Sequence, residues 1–303
     1  MIRGRQPDQW RGVRLALFAV VVAAVMTLGG YFATISWQYA YQFTHTGCRG
    51  TRDNLNAQGY ASEPTVFATS RGYQLRGWFT RGARFPDVAI VVLPGLSGNT
   101  QLALPDASLL AKAGYSTLIY EHRSCANPAL LHSGGYLEAD DLASAVQYLR
   151  SRPDVRHVGV LGFSAGGTAA LLATAKDTEI EAVVAIGGFS SLEDDALSAR
   201  PGSSRADWII RRLFLVSLGL QLGVLPSAVS PVAQIEHISP RPVLLIYGEY
   251  EAQHGKALYA AARDPKQLWI VPGVGHGGYQ RAYPEEYERL IVGFFGWAFD
   301  QAP

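Results

Sequence analysis

Cysteine is scarce in this 303-residue chain, which carries only Cys48 and Cys125. Two thiols are too few for a disulfide framework and lack the C-x-x-C spacing of a zinc site. They read either as unrelated residues or as one disulfide in an oxidising compartment. Excess charge of one sign is also missing, with 26 Lys+Arg against 25 Asp+Glu. Nucleic-acid binding rests on clustered cations, and this balance gives it no support. Cofactor signatures are absent too. No G-x-G-x-x-G follows a first strand, and there is no Walker A sequence and no H-E-x-x-H, so neither a cofactor nor a metal is expected.

Uncharged sequence, by contrast, is present in one long run. Residues 15–37 hold 23 positions without a charge, enough to cross a hydrocarbon core of about 30 Å as a helix. Arg3, Arg5, Arg11 and Arg14 precede it against a single Asp8, so the positive-inside rule keeps residues 1–14 cytoplasmic and sends the rest outward. The expectation is a single-pass membrane protein with its folded domain outside the cytoplasm. A cleaved signal peptide is the alternative, but the run is longer than a usual h-region and no clean A-x-A site follows it. Residues 38–62 are polar, with glycines at 47, 50 and 59, and read as a connector that spaces the helix from the domain.

Beyond the connector the pattern changes. Residues 64–69 and 73–80 form a hairpin pattern at a sheet edge, with Tyr73, Leu75 and Phe79 alternating with polar residues. Short continuous apolar runs follow at 88–93, 117–120, 158–161, 182–186, 243–247 and 268–271. Strands buried on both faces look like this. Helical patterns at 103–113, 136–150, 166–175 and 284–299 lie between or after them, which predicts a mostly parallel sheet covered by helices on both faces. Ligands bind such sheets at the carboxyl ends of the strands, so functional residues are sought just after each apolar run.

Gly162-Phe163-Ser164-Ala165-Gly166 sits in that position, between an apolar run and a helix pattern. A G-x-S-x-G in a strand, turn, helix context is a nucleophile elbow, which makes Ser164 the candidate nucleophile and the Ala165 N–H one donor of an oxyanion hole. Attack by a hydroxyl needs a base and a carboxylate to orient it. His276, in a glycine-rich loop after the last apolar run, is the best placed of the seven histidines, ahead of His122 and His254. After the run at 243–247 come two competing acids, Glu249 and Glu251, while Asp194 and Asp195 follow the run at 182–186.

With G-x-S-x-G, a strand followed by G-x-x-acid and a late G-H-G, residues 63–303 resemble an α/β-hydrolase. The resemblance implies an acid three residues after the glycine, and so Glu251, with Asp194, Asp195 and Glu249 as alternatives. Most members of the family carry Asp there. It also implies that the Leu96 N–H, in the loop Pro94-Gly95-Leu96, is the second oxyanion donor, with Pro94 replacing the family's usual His. Glu121-His122-Arg123 partly resembles the family's D-x-R-G segment, which makes Arg123 architectural. Residues 189–241 are too long for an ordinary connection and are expected to form a small cap, whose apolar residues 208–225 are either a helix packed on the domain, a lid presenting an acyl pocket or a face resting in the membrane interface. The implied activity is hydrolysis of a carboxylic ester, on a small molecule or a lipid, through a Ser-His-Glu triad and an acyl-enzyme. The alternatives are a serine peptidase or amidase, or a binding protein on the same scaffold without catalysis.

Overall fold

The six continuous apolar runs and the hairpin become eight strands of one sheet. The computed structural model describes residues 7–96, 98–198 and 202–300. Arg3 and Arg5 of the basic flank, Ser97 of the loop after the third strand, and residues 199–201 of the expected cap lie outside the described residues. In chain order the elements are α1 (Pro7–Thr44), β1 (Ser62–Ala68), β2 (Gln74–Thr80), β3 (Phe85–Leu93), α2 (Leu104–Ala113), β4 (Tyr115–Tyr120), α3 (Arg123–Ala126), α4 (Tyr136–Arg150), β5 (His157–Phe163), α5 (Ala165–Lys176) and β6 (Ala182–Ile186). There follow α6 (Leu192–Leu197), α7 (Arg205–Leu222), β7 (Val243–Gly248), α8 (Ala252–Ala261), β8 (Lys266–Val271), α9 (Tyr279–Ala282) and α10 (Pro284–Asp300).

The sheet order is β1-β2-β4-β3-β5-β6-β7-β8, with β2 antiparallel to both its neighbours and every later pairing parallel. Alternation along β3 shows why the inner strands are apolar throughout. Ala89, Val91 and Leu93 pack into one layer with Leu142 and Leu149 of α4 and Leu172 of α5. Val88, Ile90 and Val92 pack into the other with Leu110 of α2 and Ile291 and Phe295 of α10. Both faces are covered, so neither set of side chains can be polar. β5 lies between β3 and β6, which puts its carboxyl end at the centre of the sheet's loop-bearing edge.

α1 departs from the expected 15–37 segment. It runs without a break for 38 residues, about 57 Å at 1.5 Å per residue. Leu15, Phe18, Val21, Val25 and Met26 are exposed, and the helix is long and apolar enough to cross a membrane. Its last turns behave differently. Ser36, Ala40 and Thr44, one face at i, i+4, i+8, are buried against α7. The Ser36 hydroxyl donates to the Ile210 carbonyl at 3.1 Å and the Thr44 hydroxyl to Gln221 Oε1 at 2.9 Å, while Gln221 Nε2 donates to the Trp37 carbonyl at 3.2 Å. Residues 38–44, expected in the connector, are therefore helical, because α7 gives that face something to pack on. The rest of the connector is bound to the domain as well: Leu55 is fully buried and the Thr100 hydroxyl donates to the Asp53 carbonyl at 2.6 Å.

Candidate active site

Ser164 stands between β5 and α5 with φ 56° and ψ −122°, and among the described residues no other non-glycine has a positive φ. Such a backbone costs on the order of 1–3 kcal/mol and persists only where its surroundings enforce it. Here the Ser164 N–H donates to the Ile186 carbonyl at 2.7 Å, and the Ser164 carbonyl accepts from Thr168 N–H at 3.1 Å. Close approach completes the turn. A Cβ on Gly162 would lie 2.2 Å from the Gly166 carbonyl oxygen, so only glycine lets the chain double back at this point. The serine is thereby lifted above the sheet, at the N-terminal end of α5.

The loop between β8 and α9 carries His276 to the serine. Its Nε2 lies 2.9 Å from Ser164 Oγ, and its Nδ1 lies 2.7 Å from Glu251 Oε2. The imidazole is half-exposed, whereas the Glu251 side chain is largely covered. The hydrogen bond to Glu251 raises the His276 imidazole above its ordinary value, against burial, which works to lower it. Glu251 is itself held in place. Its Oε1 accepts from the Tyr279 hydroxyl and, at 3.4 Å, from the Gly248 N–H. Gly187, at the end of β6 with φ +63°, makes room for this assembly, since a Cβ there would sit 2.9 Å from Tyr279 Oη, 3.1 Å from Glu251 Oε1 and 3.2 Å from His276 Cε1.

The other acids are engaged elsewhere. Glu249 Oε2 accepts from the Gly273 N–H at 2.8 Å, Asp195 Oδ1 faces His254 Nε2 at 3.2 Å, and Asp194 lies in the first turn of α6. Tyr279 and Gly187 are site residues that sequence reasoning did not find. Tyr279 follows His276 by only three positions, the one local signal available for it. Gly187 carries no signal outside the three-dimensional arrangement.

Leu96 and Ala165, the expected oxyanion donors, come from two segments that meet at the serine. Ala165 opens α5, and the loop after β3 touches Ser164 at Gly95, where a Cβ would lie 3.2 Å from Ser164 Cβ. This loop is braced from the connector. Arg49 bridges to Gly98, Asn99 N–H donates to the Arg49 carbonyl at 2.7 Å, and Cys48 forms a disulfide with Cys125 after β4. Of the two readings of the cysteines, the structure has them paired.

Behind the loop, Leu93, Pro94, Tyr120, His132 and Glu138 border a cavity of about 20 Å³. His122, His132 and Glu138 are buried there with ligand-type atoms within 4.8 Å of one another, the trio among the described residues that has the make-up of a metal site. Most of those atoms have partners within the protein. His122 Nδ1 accepts from the Ser124 N–H at 3.2 Å, His122 Nε2 faces Glu138 Oε1 at 3.3 Å, and Glu138 also accepts from the Ser133 hydroxyl at 2.6 Å and the Gly135 N–H at 2.9 Å. Burial pushes His132 down to about 3, leaving it neutral. This cluster accounts for His122, which is buried with its ring nitrogens engaged by Ser124 and Glu138. Arg123, also buried, faces Asp141 at 3.6 Å, the ion-pair geometry of an architectural residue.

Residues 142–204, which include the elbow, match the family model described as BAAT / acyl-CoA thioester hydrolase C terminal. The protein YfhR of Escherichia coli O157:H7, described as uncharacterized, is 27% identical over 248 residues, covering 78% of this chain and 81% of that protein. The thiohydrolase apmlB of Arthrinium phaeospermum is 30% identical over 138 residues, 41% of this chain and 42% of that one. Among solved structures, the Pyrococcus furiosus esterase Pf2001 superposes with a TM-score of 0.67 at 18% identity, covering 84% of this chain and 98% of the esterase.

Proposed function

We propose, from the premise that this chain has the α/β-hydrolase fold, that it is a serine hydrolase acting on acyl esters. The hydrogen-bonded series from Glu251 through His276 to Ser164, at 2.7 and 2.9 Å, carries the proposal. As Ser164 Oγ attacks the acyl carbonyl, His276 Nε2 takes its proton, and Glu251 holds the imidazole in the tautomer with Nδ1–H toward the carboxylate. The Leu96 and Ala165 N–H groups receive the negative charge that develops on the carbonyl oxygen. His276 then returns the proton to the departing alcohol, and a water, activated by the same imidazole, releases the acid from Ser164. A thioester is the second reading, favoured by the family match over residues 142–204 and by the thiohydrolase. The same attack expels a thiol, a better leaving group than an amine. A binding protein that had lost its acid lacks support, since Glu251 is in hydrogen-bond contact with His276.

We read residues 15–37 as a membrane span kept in the mature protein, residues 1–14 as cytoplasmic, residues 63–303 as an extracytoplasmic hydrolase domain, and residues 189–241 as its cap. A fluorophosphonate probe is expected to label the wild type and not Ser164→Ala, and p-nitrophenyl butyrate and its thioester counterpart are expected to turn over while aminoacyl arylamides do not. Labelling that survives in Ser164→Ala would sink the proposal. A reporter fused after Pro303 is expected to be active on the outer side of the membrane, and a cytoplasmic signal would reverse the topology.

A further inference from the structure

A second cavity lies where α1 meets the cap. It has a volume of about 430 Å³ and is lined by Tyr39 and Phe43 of α1, Phe189 and Leu192 after β6, and Ile210 and Phe214 of α7, within the roughly 300–1,000 Å³ of small-molecule sites. These six and Ala196 make the walls mostly apolar, while Asp195, Asp207 and Arg211 contribute three charged groups. Two of its lining residues, Phe189 and Asp195, relate it to the candidate active site. Gly188 passes so near the serine that a Cβ on it would lie 3.1 Å from the Ser164 carbonyl oxygen, and the next residue, Phe189, donates its N–H to Thr168 Oγ1 at 2.9 Å. Asp195 also acts on the imidazole, its charge being among the influences that raise His276.

The cavity is also related to the proposed membrane span. α1 carries no break between its exposed apolar stretch and Phe43, so the cavity wall is a direct continuation of the span. Trp37, Tyr39 and Tyr41 are about half exposed on the turns between the two. Aromatic residues at the end of a span mark the membrane–water boundary. α7, packed against these turns, turns a second apolar surface outward: Trp208, Ile209, Val216 and Leu220 are exposed on one face, and Arg212 stacks on Trp208 at 5.2 Å. An apolar outer face with a tryptophan and an arginine that can reach lipid headgroups suits contact with the membrane boundary. The two helices run side by side from the Ser36–Ile210 contact to the Thr44–Gln221 contact, and both line the cavity.

We infer that the outer end of α1 and the cap helix α7 form an acyl-chain groove opening at the membrane surface, so that the substrate is a membrane-resident amphiphile whose apolar tail reaches Ser164 from the bilayer. This rests on the serine-hydrolase reading and on α1 as a membrane span. The occupant follows from the walls: seven of the ten lining residues are apolar, and the helix that supplies Tyr39 and Phe43 continues without a break into the exposed apolar stretch read as the span.

The test uses the full chain reconstituted in phosphatidylcholine vesicles, with p-nitrophenyl palmitate placed either in the same vesicles or in separate ones and p-nitrophenyl butyrate in solution as reference. Palmitate hydrolysis is expected at least tenfold faster when enzyme and ester share a bilayer, and equal rates would overturn the inference. In the second arm, Ile210→Trp fills the groove and is expected to lower the palmitate-to-butyrate ratio of kcat/KM at least tenfold, and an unchanged ratio in labelled enzyme would overturn it. Fluorophosphonate labelling reports that the variant is folded, with Tyr39→Trp as a replacement if it is not. Wild-type enzyme that neither takes the probe nor hydrolyses butyrate would overturn the hydrolase reading and this inference together. Normal butyrate turnover with no preference for shared vesicles would overturn the inference alone.

Discussion

Glu251 does two things to His276: it fixes which ring nitrogen bears the proton and it favours the protonated ring. The second effect has a sign that can be followed. The base must be neutral to accept the serine proton, so kcat/KM should rise with pH through a midpoint above the ordinary histidine value of about 6.5. Glu251→Gln removes the main cause of that rise while burial still lowers the value. The acid limb of the pH profile is therefore expected to move to lower pH as the plateau falls by roughly 10³–10⁴-fold, by comparison with the loss of a triad carboxylate elsewhere. A limb that stayed in place would mean that another group supports His276. In the proposed mechanism Tyr279, whose hydroxyl donates to Glu251, is a positioning residue. Tyr279→Phe removes one charge-assisted hydrogen bond, so kcat is expected to fall about 10- to 100-fold with KM nearly unchanged, whereas a purely structural role would alter thermal stability and leave this split undisturbed. Gly187→Ala combines an unfavourable φ with crowding of Tyr279, Glu251 and His276. It is expected to lower kcat at least ~10²-fold, as small displacements of reacting groups do, while circular dichroism remains that of the wild type.

Among the elements, the segment of residues 45–61 is the one whose role the sequence hid. It reads as a polar spacer because its partners are remote: Arg49 pairs with Gly98, and Cys48 bonds to a cysteine 77 positions away. Replacing both cysteines with alanine removes a long closed loop, for which chain entropy assigns about 4.5 kcal/mol. A Tm lowered by roughly 5–15 °C is expected at the usual few degrees per kcal/mol. Because the bond also anchors the segment bracing the Leu96 loop, kcat should fall more than KM changes. Unchanged kcat in folded enzyme would separate the brace from the oxyanion hole. The inner strands were legible for a simple reason, since a strand covered on both faces has no polar position to obscure it. α8 was not legible. Its sequence AQHGKALYAA has only Ala252, Gly255 and Leu258 buried, too small an apolar stripe to mark a period. Ser164 and His276 could be singled out from local sequence, because an elbow and a glycine-rich loop after a strand are local features. Choosing among Glu249, Glu251, Asp194 and Asp195 could not be done in the same way, because which carboxylate reaches the ring depends on how two loops meet.

For the molecule as a whole, α1 joins a stretch long and apolar enough to cross a membrane to a last part packed into the domain. The union of α1 with α7 was beyond the sequence, since an apolar helix shows no preferred face until a partner appears. Ala40 packs with Leu192, Leu218 and Val229, so removal of residues 1–45 uncovers an apolar face, whereas removal of residues 1–31 leaves it covered. The longer truncation is expected to lower Tm by at least about 5 °C relative to the shorter one, in line with the cost of opening a packed apolar contact. Differential scanning fluorimetry in the same detergent checks this, and equal values would show that the contact adds nothing to stability.

On the proposed reading of α1 as a membrane span, its unbroken course also bears on how the protein would encounter a membrane-resident substrate. A flexible tether lets a domain tumble above a bilayer, but a rigid helix shared by both allows only rotation about the membrane normal and diffusion in the plane. Encounter then becomes a two-dimensional search, and turnover depends on the mole fraction of substrate in the surface. Diluting the bilayer with inert lipid, at a constant total amount of substrate, should slow the reaction even though nothing in solution has changed.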